Sequence, residues 1–419
     1  MKKKLLGILL CALLLALTLS ACKKDTGAAA AGPVTIEFAQ WWELELPAGS
    51  LRGIMDKFEA KNPNIKVKLL TAPFASTYEQ LVVGAASGTM SDVMGLGGPW
   101  VNDFVKRGAI ANLSTLMKNA GYDEKQLASE IKLNGSTYMI PTVTFIYPLF
   151  INETLYNATG IADHPRNRTE FITAAKALTK GNTHGWIIPL SLEAPNGIQN
   201  DLMCWLWASG KSMLKDGKPD LTNSDVKATV QFAKTLFDAK AAAPGANAMK
   251  EQDKVVEFSN ARVGMMVSSL AHITTIRKNN PDLKFTITAV PPADGYTGKG
   301  GVLGNSWGIG IAENSKHKAE AWKLIEFLMS EEINAELSSL ANAFPGNTKS
   351  VPDFINTDEL FRIAFDIYQN GYLVNEFVGL PVALELMRLF DEQFQLMLEG
   401  GQSVDEMLVK AQSAWEKKF

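Results

Sequence analysis

Between Val34 and Leu96 the chain alternates strand and helix, and this alternation limits it to a layered α/β arrangement. Val34 to Phe38 alternates apolar and polar residues, the period of a strand. Ser50 to Lys61 carries Leu51, Ile54, Met55 and Phe58 at helical spacing and stops at Asn62-Pro63. Ile65 to Leu70 reads as a second strand, Tyr78 to Ala86 as a helix ended by Gly88, and Val93 to Leu96 as a short strand before Gly97-Gly98-Pro99. Strands separated by single helices predict a lobe built on a largely parallel sheet.

The pattern then changes. Gly135 to Pro141 is hairpin-like and leads into the apolar segment Phe145 to Ile151. Thr169–Leu178, Ser224–Lys240 and Ala319–Ser330 are amphipathic helices. Phe285 to Val290 is a strand closed by Pro291-Pro292, Gly295 to Gly304 a glycine-rich loop, and Trp307 to Ile311 a buried strand. The last hundred residues or so are mostly helical and end in Ser403 to Trp415. An α/β region, a more helical region, a second α/β region and a helical end fit two lobes that the chain crosses between more than once.

Lys2, Lys3 and Lys4, an apolar run from Leu5 to Leu19, and Ser20-Ala21-Cys22 have the order of parts of a secretory signal, too short for a spanning helix. An ordinary secretory signal needs no cysteine there. Removing residues 1–21 takes three lysines and no acid, so a chain of formal net charge −3 becomes more acidic. That balance argues against nucleic acid, whose phosphates need a basic stripe. With Cys11 in the signal and Cys22 at the cleavage point, Cys204 has no partner for an intrachain disulfide. It sits in the apolar run Leu202 to Trp207 and reads as a small buried hydrophobe. Lys23 to Pro33 is polar, then rich in Ala and Gly, and reads as a flexible tether.

Metal-binding motifs are missing from the sequence. His164, His184, His272 and His317 stand far apart, and no His-x-x-x-His or Cys-x-x-Cys pair is present. No phosphate-binding Gly-x-x-x-x-Gly-Lys-Ser/Thr loop occurs. No catalytic residue, cofactor or metal is therefore assigned. Tryptophan carries more. Trp41, Trp42, Trp100, Trp186 and Trp307 lie beside turns. A sugar presents apolar C–H faces that an aromatic ring covers and hydroxyl edges that carboxylates and amides bond. Trp41 and Trp42 are adjacent at a strand end, point to opposite sides and are hard to bury together, and Glu43 follows them. Ligands in α/β sheets bind beyond such carboxyl ends.

The whole mature chain resembles the extracellular solute-binding proteins of bacterial ABC importers, in the carbohydrate-binding group that includes maltose-binding protein. The residues carrying this are Thr35-Ile36-Glu37-Phe38 with Trp41-Trp42, Phe58 to Val67, Ser91-Asp92-Val93, Gly135 to Pro141 leading to Leu149 to Leu155, Asn305 to Ile311, Ala321 to Leu328, and Gly401 to Glu406. Each is loose alone, and their order together is specific. Leu19-Ser20-Ala21-Cys22 resembles the lipoprotein box of bacteria, in which the cysteine is lipidated.

The resemblance implies a two-lobed periplasmic-binding-protein fold, a ligand cleft between the lobes and several crossing segments, near Thr142 to Tyr147, Val290 and Pro345. It implies a signal peptide at 1–21, a tether at 22–33, lobe 1 at 34–142 with 290–345, and lobe 2 at 146–289 with 346–419. It implies a non-enzymatic monomer outside the cytoplasm, anchored through lipid on Cys22, that binds a mono- or oligosaccharide and serves an ABC permease. Trp41, Trp42, Glu43 and Trp100 are expected on one wall, Asn305 and Asn342 near it, and Tyr147, Glu193, Asn200, Trp205 and Trp207 on the other lobe. Two departures concern the ligand. Ser268-Ser269-Leu270 lacks the aromatic that relatives often place there, and Gly95 and Gly97 stand where some relatives carry hydrogen-bonding side chains, so both are expected to leave room. A surface glycoside hydrolase, which needs two facing carboxylates, and the same fold with a non-sugar solute are the alternatives.

Overall fold

The computed structural model describes residues 32–129 and 131–419. The signal, Cys22 and all of the tether except Gly32 and Pro33 lie outside the described residues. Among the described residues no helix is long and apolar enough to cross a membrane.

Strand β1 (Val34–Gln40) pairs in parallel with β2 (Ile65–Thr71) and β3 (Val93–Leu96). The returning helices are Ser50–Lys61 and Phe74–Ser87. In the first, Leu51, Ile54, Met55 and Phe58 are buried on one face, and the Asn62 amide closes the end by donating to the Phe58 carbonyl at 3.0 Å. The second begins a turn earlier than its apolar spacing suggests, directly after Pro73, and ends on Gly88 at φ 70°.

The rest of this sheet corrects the parallel expectation. A hairpin of β4 (Ile131–Leu133) and β5 (Ser136–Ile146) turns on Asn134-Gly135, both left-handed, as a two-residue hairpin requires. Strand β12 (Gly301–Ile311) then runs antiparallel to both β3 and β5, and β13 (Phe344–Pro345) antiparallel to β5. The eight-stranded sheet has the order β13-β5-β12-β3-β1-β2, with β4 on β5 and β14 (Tyr372–Val374) on β12. Strands returning from a distant part of the chain carry no local signal of direction, so the alternation reports only the first three.

Strand β12 also begins inside the expected glycine-rich loop. Its glycines serve close approach rather than turning. A Cβ on Gly308 would run into Met139, and one on Gly310 would lie 2.6 Å from Leu96 Cδ1.

The second sheet has the order β11-β6-β10-β7, from β6 (Leu149–Asn152), β7 (His184–Trp186), β10 (Val263–Val267) and β11 (Phe285–Thr288). The chain passes from one sheet to the other at Tyr147-Pro148, between β5 and β6, and returns between β11 and β12. Phe150, Met266 and Ile287 are register partners on one face and pack with Phe361 and Ala364 of the Glu359–Asn370 helix. Leu149, Ile151, Met265 and Val267 face the larger core. The terminal helices Ala383–Leu398 and Val404–Glu416 pack together, and the buried Trp415 indole donates to the Leu386 carbonyl at 2.8 Å. Strands β8 (Leu214–Lys215) and β9 (Lys218–Pro219) form a separate small hairpin. Cys204 is buried, as expected, and burial pushes its thiol well above the usual range.

Candidate functional site

A cleft of about 880 Å³ opens between the two sheets. One wall is aromatic. After β1, Trp41 leads into a single helical turn, Trp42–Glu45, and residues four apart on such a turn share a face. Trp41 and Glu45 therefore line the cleft. Trp41 packs edge-on against Phe74 (4.9 Å) and Trp100 (5.5 Å), and Phe74 lies over Trp100 at 4.6 Å. Trp41 and Trp100 are nearly buried, whereas Phe74 is 38% exposed and offers the open ring. Phe145 and Trp307, with centroids 5.1 Å apart, continue the wall.

The same turn corrects two expectations. Trp42 points the opposite way, fully buried, stacked on Trp307 at 5.5 Å and 10° and edge-on to Phe38 at 5.3 Å. Glu43 faces away from the cleft, its carboxylate accepting from the Thr71 hydroxyl at 2.5 Å. The wall carboxylate is Glu45. Its side chain opens into the cleft, yet the surrounding wall strips enough hydration to raise its carboxyl to about 7, partly opposed by a hydrogen bond from Trp307. Gly95 and Gly97 do not leave room either. A Cβ on Gly95 would sit 3.1 Å from the Trp41 ring and one on Gly97 3.0 Å from Trp100, so the indoles occupy that space.

The facing wall is polar. Tyr147 stands at the crossing between the sheets, beside Asn305 and Ser269. Burial first, then the nearby Glu251 carboxylate, push its phenol far above the ordinary range. A π-helical turn, Ile198–Leu202, presents Gln199 and Asn200. Asn305 on β12 gathers them: its Oδ1 accepts from Gln199 Nε2 (3.1 Å) and Asn375 Nδ2 (2.8 Å), and its Nδ2 donates to Asn200 Oδ1 (3.0 Å). Gln199 Nε2 also donates to Asn200 Oδ1 at 3.0 Å. At the mouth Asn342, left-handed at φ 54°, donates to the Thr274 hydroxyl at 2.7 Å, so the Glu331–Ala341 helix meets the His272–Asn279 helix across the opening. Ser269, in the segment without the expected aromatic, lines this wall.

Beneath it lies a charged cluster. Lys254, fully buried, donates to Asp201 Oδ2 at 2.8 Å and the Val267 carbonyl at 2.7 Å, and pairs with Glu251 Oε1 at 3.0 Å. Burial raises the Asp201 carboxyl more than Lys254 lowers it. His272 Nδ1 lies 2.7 Å from the Ser268 hydroxyl, and burial lowers the imidazole to about 4, leaving it neutral at pH 7.

Three further expected residues stand outside the cleft lining. Glu193 pairs with Lys250 at 2.6 Å on the surface. Trp205 is buried between Phe171 (4.5 Å) and Phe232 (4.6 Å). Trp207 is buried with its indole donating to Glu376 at 2.7 Å. Both lie on the Met203–Trp207 turn, all of whose residues are buried. The structure thus brings Trp41, Trp100, Tyr147, Asn200, Asn305 and Asn342 to one cleft and adds Glu45, Phe74, Gln199, Glu251, Ser269 and Trp307. The Trp41–Glu45 spacing signals one of these additions, whereas Glu251 has no local signal. Among the described residues no group of His, Cys, Asp and Glu could hold a metal.

Residues 43–335 match the model of the family described as bacterial extracellular solute-binding protein. The chain belongs to that family. A binding protein of Brucella abortus is 28% identical over 298 residues, covering 69% of this chain and 71% of the relative. The multiple sugar-binding protein of Streptococcus mutans is 25% identical over 343 residues, 78% of each chain. The ABC substrate-binding protein of Listeria monocytogenes, solved with cycloalternan, superposes with a TM-score of 0.77 at 17% identity, over 92% of this chain and 98% of that one. The solute-binding family and the two-lobed α/β fold agree with the resemblance read from the sequence.

Proposed function

We propose that this solute-binding protein is a receptor for a mono- or oligosaccharide that delivers its ligand to an ABC permease. One observation carries the reading: the cleft sets rings on one wall against amides, a phenol and a carboxylate on the other. A sugar offers an apolar face and a hydroxyl edge to such a pair of walls. The Streptococcus relative named a multiple sugar-binding protein and the Listeria protein solved with cycloalternan support it. Binding is a population shift, since only the closed form lets one ligand touch both walls. Lobe 1 comprises 34–142 and 290–345, lobe 2 comprises 146–289 and 346–419, and the protein acts as a monomer. Leu19-Ser20-Ala21-Cys22 supports a lipid on Cys22 that keeps the receptor outside the cytoplasm, beside the membrane.

Isothermal titration of the mature chain against a sugar panel tests the ligand class. One sugar binds at one per chain, and Trp41→Ala weakens it by about tenfold, the worth of a lost ring contact. Heat from a peptide or polyamine, with none from any sugar, refutes the reading. Turnover of a chromogenic glycoside that is lost in Glu45→Gln replaces it with a hydrolase.

A further inference from the structure

Two acceptor oxygens on the polar wall have no donor among the described residues. Gln199 Oε1 and Glu251 Oε2 are buried and unpartnered, and both residues line the cleft. Gln199 is only 4% exposed, and its amide nitrogen is already committed to Asn200 and Asn305. Glu251 is held from behind by Lys254 through its other oxygen. A buried acceptor left unpaired is costly, and a ligand that supplies a donor removes that cost.

The charge around these oxygens points the same way. Lys254 is saturated by Asp201, Glu251 and the Val267 carbonyl, so it has no donor left for a ligand. His272 adds no charge, being neutral beside Ser268. Glu45 brings a second carboxyl to the facing wall. Lys278, the one lysine or arginine among the described lining residues, is exposed.

We infer that Glu251 and Gln199 determine specificity by demanding hydrogen-bond donors from the ligand, so that the site takes neutral or amino sugars and rejects uronic acids and sugar phosphates. The inference rests on the sugar-receptor reading and adds the ligand's charge class to it. A hydroxyl or ammonium donates to both oxygens. A carboxylate or phosphate offers only acceptors, and beside Glu251 the described residues leave it no uncommitted buried cation.

The experiment is titration of the full mature chain with a neutral sugar, its uronate and its 6-phosphate, and of Glu251→Gln with the same three. The wild type binds the neutral sugar and gives no heat with either anion. Glu251→Gln binds the neutral sugar about tenfold or more weakly, as expected for loss of a charged acceptor, and now binds the uronate measurably. Gln199→Met leaves the ion pairs intact and loses a similar factor for the neutral sugar, which keeps the test open should Glu251→Gln fail to fold. A uronate or phosphate that binds wild type as well as the neutral sugar overturns the inference alone. So does an unchanged profile in Glu251→Gln or, where that variant does not fold, an unchanged neutral-sugar affinity in Gln199→Met. Absence of heat from every sugar, charged or not, overturns the receptor reading and this inference with it.

Discussion

Lys254 is the residue whose removal separates what holds the fold from what shapes the site. Its ammonium and the Asp201 carboxylate are both completely buried, 2.8 Å apart, and Glu251 Oε1 and the Val267 carbonyl complete its three bonds. Lys254→Met leaves the Asp201 carboxyl buried without its cation, and its Oδ1 has no hydrogen-bond partner among the described residues. Breaking a buried pair from one side costs about 3–5 kcal/mol. The loss depends on pH. With its folded-state pKa raised by burial, Asp201 holds a proton in the folded chain where the unfolded chain has released it. Stability of the variant therefore falls as pH rises above the ordinary Asp range and through the raised folded value. Urea unfolding followed by tryptophan fluorescence at pH 5.5 and 8 should show the larger deficit at pH 8, with an unchanged slope. Asp201→Asn combined with Lys254→Met removes both charges and should recover most of the loss, since a neutral pair needs no counter-charge. Sugar affinity should stay low in that double variant, because Glu251 has lost its support. A single variant within about 0.5 kcal/mol of wild type at pH 8, the size of an ordinary surface change, or a double variant no better than the single, refutes this account.

Two other perturbations read different parts of the molecule. Asp391 is fully buried, with one oxygen accepting from Gln395 at 3.3 Å and the other without a partner among the described residues, and burial pushes its carboxyl to about 7. Wild type therefore loses stability as pH climbs from the ordinary Asp range through 7. In thermal melts Asp391→Asn should match wild type near pH 4 and exceed it at pH 8 by at most about 4 kcal/mol, the free-energy equivalent of the raised carboxyl; parallel melting curves across that range would count against it. Thr274→Val removes the acceptor for Asn342 at the cleft mouth. It should weaken sugar binding by about threefold to tenfold, the worth of one hydrogen bond, with the melting point unchanged; equal affinities in titration would show that this bond does not favour closure.

Where structure is local, the sequence announces it. The Ser50–Lys61 helix carries its apolar stripe, its asparagine stop and the following proline within a dozen or so residues, and it forms as read. The direction of β12 is not local, because it depends on where the chain re-enters the first sheet, more than 200 residues after β3. The site divides in the same way. That Trp41 and Trp42 part company follows from their adjacency. Which of them meets the cleft, and whether Glu43 or Glu45 joins it, depends on the chain turning helical after Gln40. Trp205 and Trp207 looked available by composition, yet the packing of Phe171 and Phe232 claims the first and Glu376 the second. Glu251 could not be found from its neighbours in sequence. Its importance comes from Lys254 and from Asp201, which is 53 residues from Lys254 in the chain.

The amides at Asn305 have a thermodynamic consequence. Gln199, Asn200, Asn305 and Asn375 already bond one another before any solute arrives. An incoming hydroxyl must trade places with a neighbour's amide instead of filling a vacancy, and such a trade returns little net enthalpy. Discrimination then falls to what cannot be traded, namely the ring surface at Phe74 and the two lone oxygens of Gln199 and Glu251. Calorimetry should accordingly find a heat of binding smaller than the number of polar contacts suggests, and a heat-capacity change set by the aromatic surface the ligand covers.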